Sequence, residues 1–168
     1  MRTQTREYFA KFLETHSKLK STMLDVGSLS TQPGAHIKDI ALKYNMDYLG
    51  VDMRKGDNVD IILNGHDLST IDRQYDLVVS FDTFEHDDAF WLTLEEMKKV
   101  LKPGGWMMIG FPSRYCPQHD HPQDYWRFMP HAMEVMFRGF EDFEMIVDKN
   151  PESEMEDEIY GWGRKPKT

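Results

Sequence analysis

The chain has one cysteine, Cys116, so no internal disulfide can form and nothing points to an oxidising compartment. No apolar run approaches the roughly 18 residues that a membrane-spanning helix needs, and no apolar core follows Met1-Arg2-Thr3-Gln4. A cytoplasmic protein without a membrane partner is therefore expected. Positive charge is also scarce, with 20 Lys and Arg against 29 Asp and Glu, a net charge of −9. Nucleic-acid affinity is largely phosphate neutralisation, and no basic stripe is present, so no nucleic-acid partner is expected. A small molecule or a sugar-like group suits this surface better. Part of the acidity is one run, Glu152, Glu154, Glu156, Asp157 and Glu158, which reads as a solvated loop rather than a docking tail. No repeat, linker or low-complexity tract divides residues 1–168, and a single domain is expected.

What is present is an alternation of apolar runs and helical patterns. Thr5 to Leu19 places Tyr8, Phe9, Phe12, Leu13 and Leu19 on one side of a helix. Thr22 to Gly27 is a short buried strand ending at glycine. Pro33 is expected to open a helix, with Ile37, Ile40, Ala41 and Tyr44 at helical spacing. Asp47–Asp52, Val59–Leu63 and Tyr75–Phe81 read as strands, and Asp87–Leu101 as a helix through Phe90, Leu94, Met97 and Leu101. Lys102-Pro103-Gly104-Gly105 stops that helix ahead of a strand at Trp106–Phe111. Pro130–Phe137 reads as the last helix, and Phe143–Val147 with Asp157–Trp162 as a closing antiparallel pair. Strands alternating with helices imply an α/β fold with a mostly parallel sheet covered on both faces. Ligands in such sheets lie beyond the carboxyl ends of the strands, near the topological switch point.

Two residues there carry chemistry. Gly27 lets the backbone turn sharply and approach a ligand, and the following loop offers N–H groups to a carboxylate ahead of the helix expected at Pro33. Asp52, at the end of the second strand, can accept both hydrogens of a ribose diol. Taken singly, Gly27 is equally a turn residue and Asp52 equally a helix cap.

Leu24-Asp25-Val26-Gly27-Ser28 resembles the first motif of class I S-adenosylmethionine-dependent methyltransferases, and Tyr48-Leu49-Gly50-Val51-Asp52 the second. Tyr75 to His86, an apolar strand followed by Phe84-Glu85-His86, resembles the fourth-strand motif of that family. Lys99 to Gly105 resembles its junction between helix and fifth strand, and Gly161-Trp162-Gly163-Arg164 suits its last strand. More narrowly, His121 to Pro130 resembles a segment of small-molecule methyltransferases of the type 11-like kind, some associated with glycan biosynthesis. The resemblance implies a Rossmann-like three-layer sandwich, a seven-stranded sheet with an antiparallel final strand, and S-adenosylmethionine as cofactor. A cofactor half at about 22–86 and an acceptor half at about 87–168 follow from it. Asp25 would orient the first loop and face the cofactor's amino group, Gly27 and Ser28 would meet its carboxylate, and Asp52 its ribose. Met53 would pack on the adenine, Asn64 and Gly65 would meet the adenine edge, and Ser80 with Phe81 would line the other side through backbone and ring. The family's first loop has glycines at alternate positions, whereas here Ser28, Leu29 and Ser30 follow Gly27. That departure keeps a non-catalytic, S-adenosylmethionine-binding relative open as an alternative.

Methyl transfer to a hydroxyl needs alignment, desolvation and a route for the acceptor's proton. The candidate bases are Glu85, His86, His119, His121 and Asp124; His119 or His121 would take the hydroxyl proton with Asp124 fixing the ring tautomer, and Glu85, His86, Tyr125 and Arg127 are the acceptor contacts. The competing view makes residues 112–130 a lid, with Tyr125 and Trp126 packed inward and Arg127 paired to an acid. His119, Asp120, His121 and Asp124 also read as metal ligands, but spacing alone does not fix a site and no metal is expected. Cys116 reads as a bystander. An NAD-dependent oxidoreductase would share Gly27 and Asp52, but it would leave Lys102-Pro103-Gly104-Gly105 unexplained.

Overall fold

The computed structural model describes residues 3–16, 21–119, 122–150 and 154–167. Helix α1 (Thr3–His16) is followed by β1 (Thr22–Val26), α2 (Lys38–Lys43), β2 (Asp47–Asp52) and β3 (Ile61–Ile62). Then come β4 (Tyr75–Phe81), α3 (Phe90–Val100), β5 (Leu101–Pro112), α4 (Pro130–Met136), β6 (Glu141–Lys149) and β7 (Glu156–Arg164). The strands form one seven-stranded sheet in the order β3-β2-β1-β4-β5-β7-β6. Strands β1 to β5 are parallel, and β7 runs antiparallel to both its neighbours.

Strand parity divides the core in two. Met23, Leu77, Val79 and Met108 face α1 and α2, where they meet Phe9, Phe12, Leu13 and Ala41. Leu24, Val26, Val78, Met107, Ile109 and Phe111 face α3 and α4 and pack on Leu94, Met97 and Met133. Both faces of β1 and β4 are thus buried, which is why their sequences are nearly continuous apolar runs. Each fully buried aliphatic or aromatic side chain contributes about 1.5–3 kcal/mol, so the two layers together hold the sheet rigid beneath its loops.

The chain runs β1, β2, β3 toward one edge and then returns to place β4 beside β1. The Ser80 hydroxyl donates to Val26 O across this switch point at 2.9 Å, and the loops after β1 and β4 diverge above it.

Several expectations need correction. Pro33 opens no helix: Gly34 has φ +77°, a left-handed conformation that ends the turn, and α2 starts only at Lys38 with Ile37 as its cap. The expected strand at Val59–Leu63 shrinks to two exposed edge residues, since Val59 N donates to Gly56 O and Asp60 N to Gly50 O. The third helix begins at Phe90, and the turn before it is held by Asp87, which accepts from Ala89 N at 2.9 Å and from Thr93 Oγ1 at 2.6 Å. The first helix starts at Thr3, and Leu19, its expected last contact, lies outside the described residues. Only part of the acidic run is exposed: Glu154 is exposed ahead of β7, but Glu156 to Glu158 open that strand, Asp157 and Glu158 are buried, and Glu152 lies outside the described residues. No helix among the described residues is long and apolar enough to cross a membrane.

Candidate active site

The loops leaving β1, β2 and β4 and the long segment after β5 close on one cavity of about 720 Å³. That is within the roughly 300–1,000 Å³ typical of small-molecule sites.

On the β1 side, Gly27 has φ +81°, and a Cβ there would lie 2.0 Å from Thr83 Oγ1. Thr83 holds its position by donating to Phe81 O at 2.9 Å, so this glycine is required both by conformation and by contact. The N–H groups of Gly27 and Ser28, expected to meet a ligand carboxylate, instead donate to Val51 O at 2.9 and 3.0 Å. The side chain of Ser28 does line the cavity, with its buried hydroxyl beside that of Tyr48. Asp52 lines it too, accepting from Arg54 N at 2.9 Å. A carboxylate has about four acceptor positions, so Asp52 keeps capacity for a ligand diol. Met53, 65 % exposed, and Phe81, Asn64 and Gly65 complete this side. The Asn64 oxygen, expected at an adenine edge, accepts from His66 N at 3.0 Å and caps the following turn.

Two expected contacts are not on the wall. Asp25 is buried on β1, where its carboxylate accepts from the Tyr48 hydroxyl at 2.7 Å. Burial pushes its pKa up to about 7, only partly offset by the Tyr48 hydrogen bond. Ser80 is likewise buried and bonded to the backbone of β1.

Across the cavity, Glu85 is completely buried, with neither carboxylate oxygen hydrogen-bonded among the described residues. His86 Nε2 and His119 Nε2 each lie 3.6 Å from Glu85 Oε1, and the two rings meet edge to face at 5.1 Å. Burial raises the Glu85 pKa, and Glu85 in turn raises that of His119. His86, His119 and Tyr125 line the cavity.

Asp124 does not fix the His119 ring. Its Oδ2 is 3.9 Å from His119 Nδ1 and accepts instead from His119 N at 2.7 Å, while both oxygens take Arg127. Burial pushes the Asp124 carboxyl up, but Arg127 and His119 outweigh it and hold it below its usual range. Arg127 also donates to Cys116 O at 3.0 Å and Pro117 O at 2.9 Å, so it locks its own loop and is not on the cavity wall. The lid reading described this pair correctly. Trp126 Nε1 donates to Asp87 O at 2.8 Å, and Tyr125 N to Glu85 O at 2.7 Å, which pins the segment over β4. Trp126 and Tyr125 stay well exposed rather than closing the core. His121 and Asp120 lie outside the described residues.

Residues 24–109, just over half the chain, match the family described as methyltransferase domain. The chain belongs to this family of methyltransferase domains. Among solved structures, a SAM-dependent methyltransferase from Archaeoglobus fulgidus is 14 % identical, with a TM-score of 0.75 over 98 % of this chain and 95 % of that one. The N-methyltransferase NodS from Bradyrhizobium japonicum WM9 is 16 % identical, with a TM-score of 0.71 over 97 % and 96 %. The Burkholderia thailandensis 1,6-didemethyltoxoflavin-N1-methyltransferase, solved with 1,6-didemethyltoxoflavin and S-adenosylhomocysteine, is 17 % identical, with a TM-score of 0.71 over 96 % and 78 %. At these identities the likeness is one of fold. No curated protein matches significantly.

Within this methyltransferase frame, the lining residues that escaped the sequence reading include Thr83, Asp87 and Glu158. Thr83 is visible only once Gly27 is seen to lie against it. Asp87 bonds His66 Nε2 at 2.9 Å as well as the start of α3. Glu158 was hidden in an acidic run. Its one signal was alternation with Ile159 and Tyr160, and it accepts a short hydrogen bond from the buried Tyr160 hydroxyl.

Proposed function

We propose that the protein transfers the methyl group of S-adenosylmethionine to a small-molecule acceptor, at oxygen, with residues 1–168 acting as one catalytic domain in the cytoplasm. The observation that carries the reading is the two-sided cavity at the switch point. Ser28, Asp52 and Met53 stand on one wall, and His86, His119 and Tyr125 on the other. The Ser28 hydroxyl on the wall and the spare acceptor capacity of Asp52 suit the polar ends of the cofactor, and exposed Met53 suits its base. The cytoplasmic assignment rests on the lone cysteine. The bound toxoflavin precursor of the Burkholderia enzyme supports a small-molecule acceptor, and a glycan-type one remains part of the proposal.

S-adenosylmethionine supplies a methyl group already activated by positive sulfur. The chain's own residues must orient the acceptor in line with it and exclude water, a proximity effect that can be large. The lid pinned at Tyr125 and Trp126 excludes water, and the cluster of Glu85, His86 and His119 meets the acceptor's proton.

Calorimetry should show binding of S-adenosylhomocysteine and none of NAD, and the reverse result would return the oxidoreductase reading. Replacing Asp52 by alanine should weaken that binding at least about tenfold, since each hydrogen bond to a charged group is worth about 1.5–3 kcal/mol. The fold should survive, because Asp52 lies at the end of its strand. Unchanged affinity in folded Asp52→Ala protein would put the ribose elsewhere. Binding without methylated product across hydroxyl acceptors, with product from amines, would correct the oxygen assignment. No product from either class would leave a binding protein.

A further inference from the structure

We propose that Glu85, His86 and His119 form a binding site for a divalent transition-metal ion of the Zn²⁺ class on the acceptor wall of the cavity. The inference rests on the acceptor reading above and deepens it.

The first observation is the spacing. Ligand atoms from the three residues all lie within 4.8 Å of one another, and both imidazole Nε2 atoms sit 3.6 Å from the same carboxylate oxygen. That is too long for a hydrogen bond. It is close to the separation of about 3.4 Å between ligands that sit tetrahedrally about 2.0–2.1 Å from one ion.

The second is Glu85 itself. A carboxylate with no exposure and no hydrogen bond to either oxygen among the described residues is costly unless a cation sits beside it. The Glu85 carbonyl is held by Tyr125 N and Trp126 N, which fixes the backbone that carries this side chain against the segment bearing His119.

The third is the orientation of the rings. His86 Nδ1 faces Gln123 O at 2.5 Å, and His119 Nδ1 faces Pro117 O at 3.3 Å. A carbonyl only accepts, so each Nδ1 carries a proton and each Nε2 is the nitrogen turned toward Glu85. A metal ion there would take the place of the positive charge that Glu85 otherwise draws onto His119. Backbone carbonyls behind Nδ1 are also the usual support of metal-ligating histidines. Arg127 Nη2 approaches His119 Nδ1 at 3.4 Å, but its two hydrogens already go to Pro117 O and Asp124 Oδ2, so it does not compete for that nitrogen.

Two imidazoles and one carboxylate are the donor set of borderline divalent ions, and three protein ligands leave a position open for an acceptor atom. His86 and His119 line the cavity, so that position faces the acceptor side. The ligand set differs from the one that spacing suggested, since Asp124 is taken by Arg127.

The test uses the full chain without a polyhistidine tag, stripped with chelator and titrated with Zn²⁺, with Co²⁺ as a spectroscopic probe. Expected are one equivalent of Zn²⁺ per chain and the visible absorption of four-coordinate Co²⁺. Glu85→Gln, His86→Ala and His119→Ala should each weaken Zn²⁺ binding about 100-fold or more, since even residues outside the ligand shell are worth 10–100-fold. His119 is partly exposed, so its variant stays informative if Glu85→Gln misfolds. No Zn²⁺ binding by the wild type, or Zn²⁺ binding undiminished in His119→Ala, overturns the proposal. S-adenosylhomocysteine binding is measured on the same stripped sample. If it persists while Zn²⁺ fails to bind, the metal site falls and the methyltransferase reading stands. Zn²⁺ binding without cofactor binding gives the opposite result.

Discussion

Replacing Gly27 by alanine is expected to destabilise the protein by about 2–5 kcal/mol and to weaken S-adenosylhomocysteine binding with it. Two independent costs add. At φ +81° an L-residue pays about 1–2 kcal/mol for the left-handed conformation. The new Cβ would also stand 2.0 Å from Thr83 Oγ1 and 2.7 Å from Thr83 Cγ2, and overpacking of this kind costs about 1–3 kcal/mol. Thr83 is β-branched and bonded to Phe81 O, so it cannot rotate away without losing that bond. The remaining escape moves the β1 loop, which carries Ser28. Urea melts of Gly27→Ala, Thr83→Ala and the double variant separate the two costs. Thr83→Ala removes the two nearest atoms but keeps the Thr83 Cβ at 2.9 Å, so it should restore most of the packing part and leave the conformational part. A Gly27→Ala protein as stable as wild type, with undiminished affinity, would show that the loop has other conformations open to it.

How much of this was legible in the residues depends on the kind of signal. The order of strands and helices was, because burial on both faces leaves apolar runs such as Leu77-Val78-Val79 that no exposed strand would carry. The positions of Gly27 and Asp52 were legible for the same reason: each follows a strand, and the end of a strand is read from the end of its apolar run. Helix starts were not. Pro33 has the right conformation to begin a helix, but Gly34 beside it makes a turn, and local preference does not decide between them.

Hydrogen-bond partners were still less legible, because they join segments far apart in the chain. Asp25 looked like a cofactor contact until Tyr48, 23 residues on, was found bonded to it. Asp124 looked like the partner of a histidine ring until Arg127 took both its oxygens. Glu85 and His86 were recognised singly, but their convergence with His119 depends on the fold of residues 112–130, which has no period for sequence to reveal. Glu158 was misread because a run of acids suggests solvent, whereas β7 is an inner strand of the sheet, buried on both faces, and carries Asp157 and Glu158 inward with it.

The buried Asp25 predicts a pH dependence of stability with a definite sign. Burial raises its pKa to about 7 in the folded protein, against about 3.9 in the unfolded chain. The Tyr48 hydroxyl and Lys38 work against the shift, and Asp52 and Asp60 add to it. Between those values the folded protein holds a proton that the unfolded chain has lost. Stability from this group is complete below about pH 4 and declines as the pH rises toward about 7, by up to about 1.4 kcal/mol per unit and about 4 kcal/mol in all. Asp25→Asn keeps an acceptor for the Tyr48 hydroxyl and never ionises. Its stability relative to wild type should therefore rise by that amount across the window, while every other titrating group cancels in the difference. Urea unfolding of both proteins from about pH 4.5 to about pH 8 measures the difference directly. Parallel profiles would mean that Asp25 already ionises freely in the folded state, with water reaching the carboxylate beneath the β1 loop.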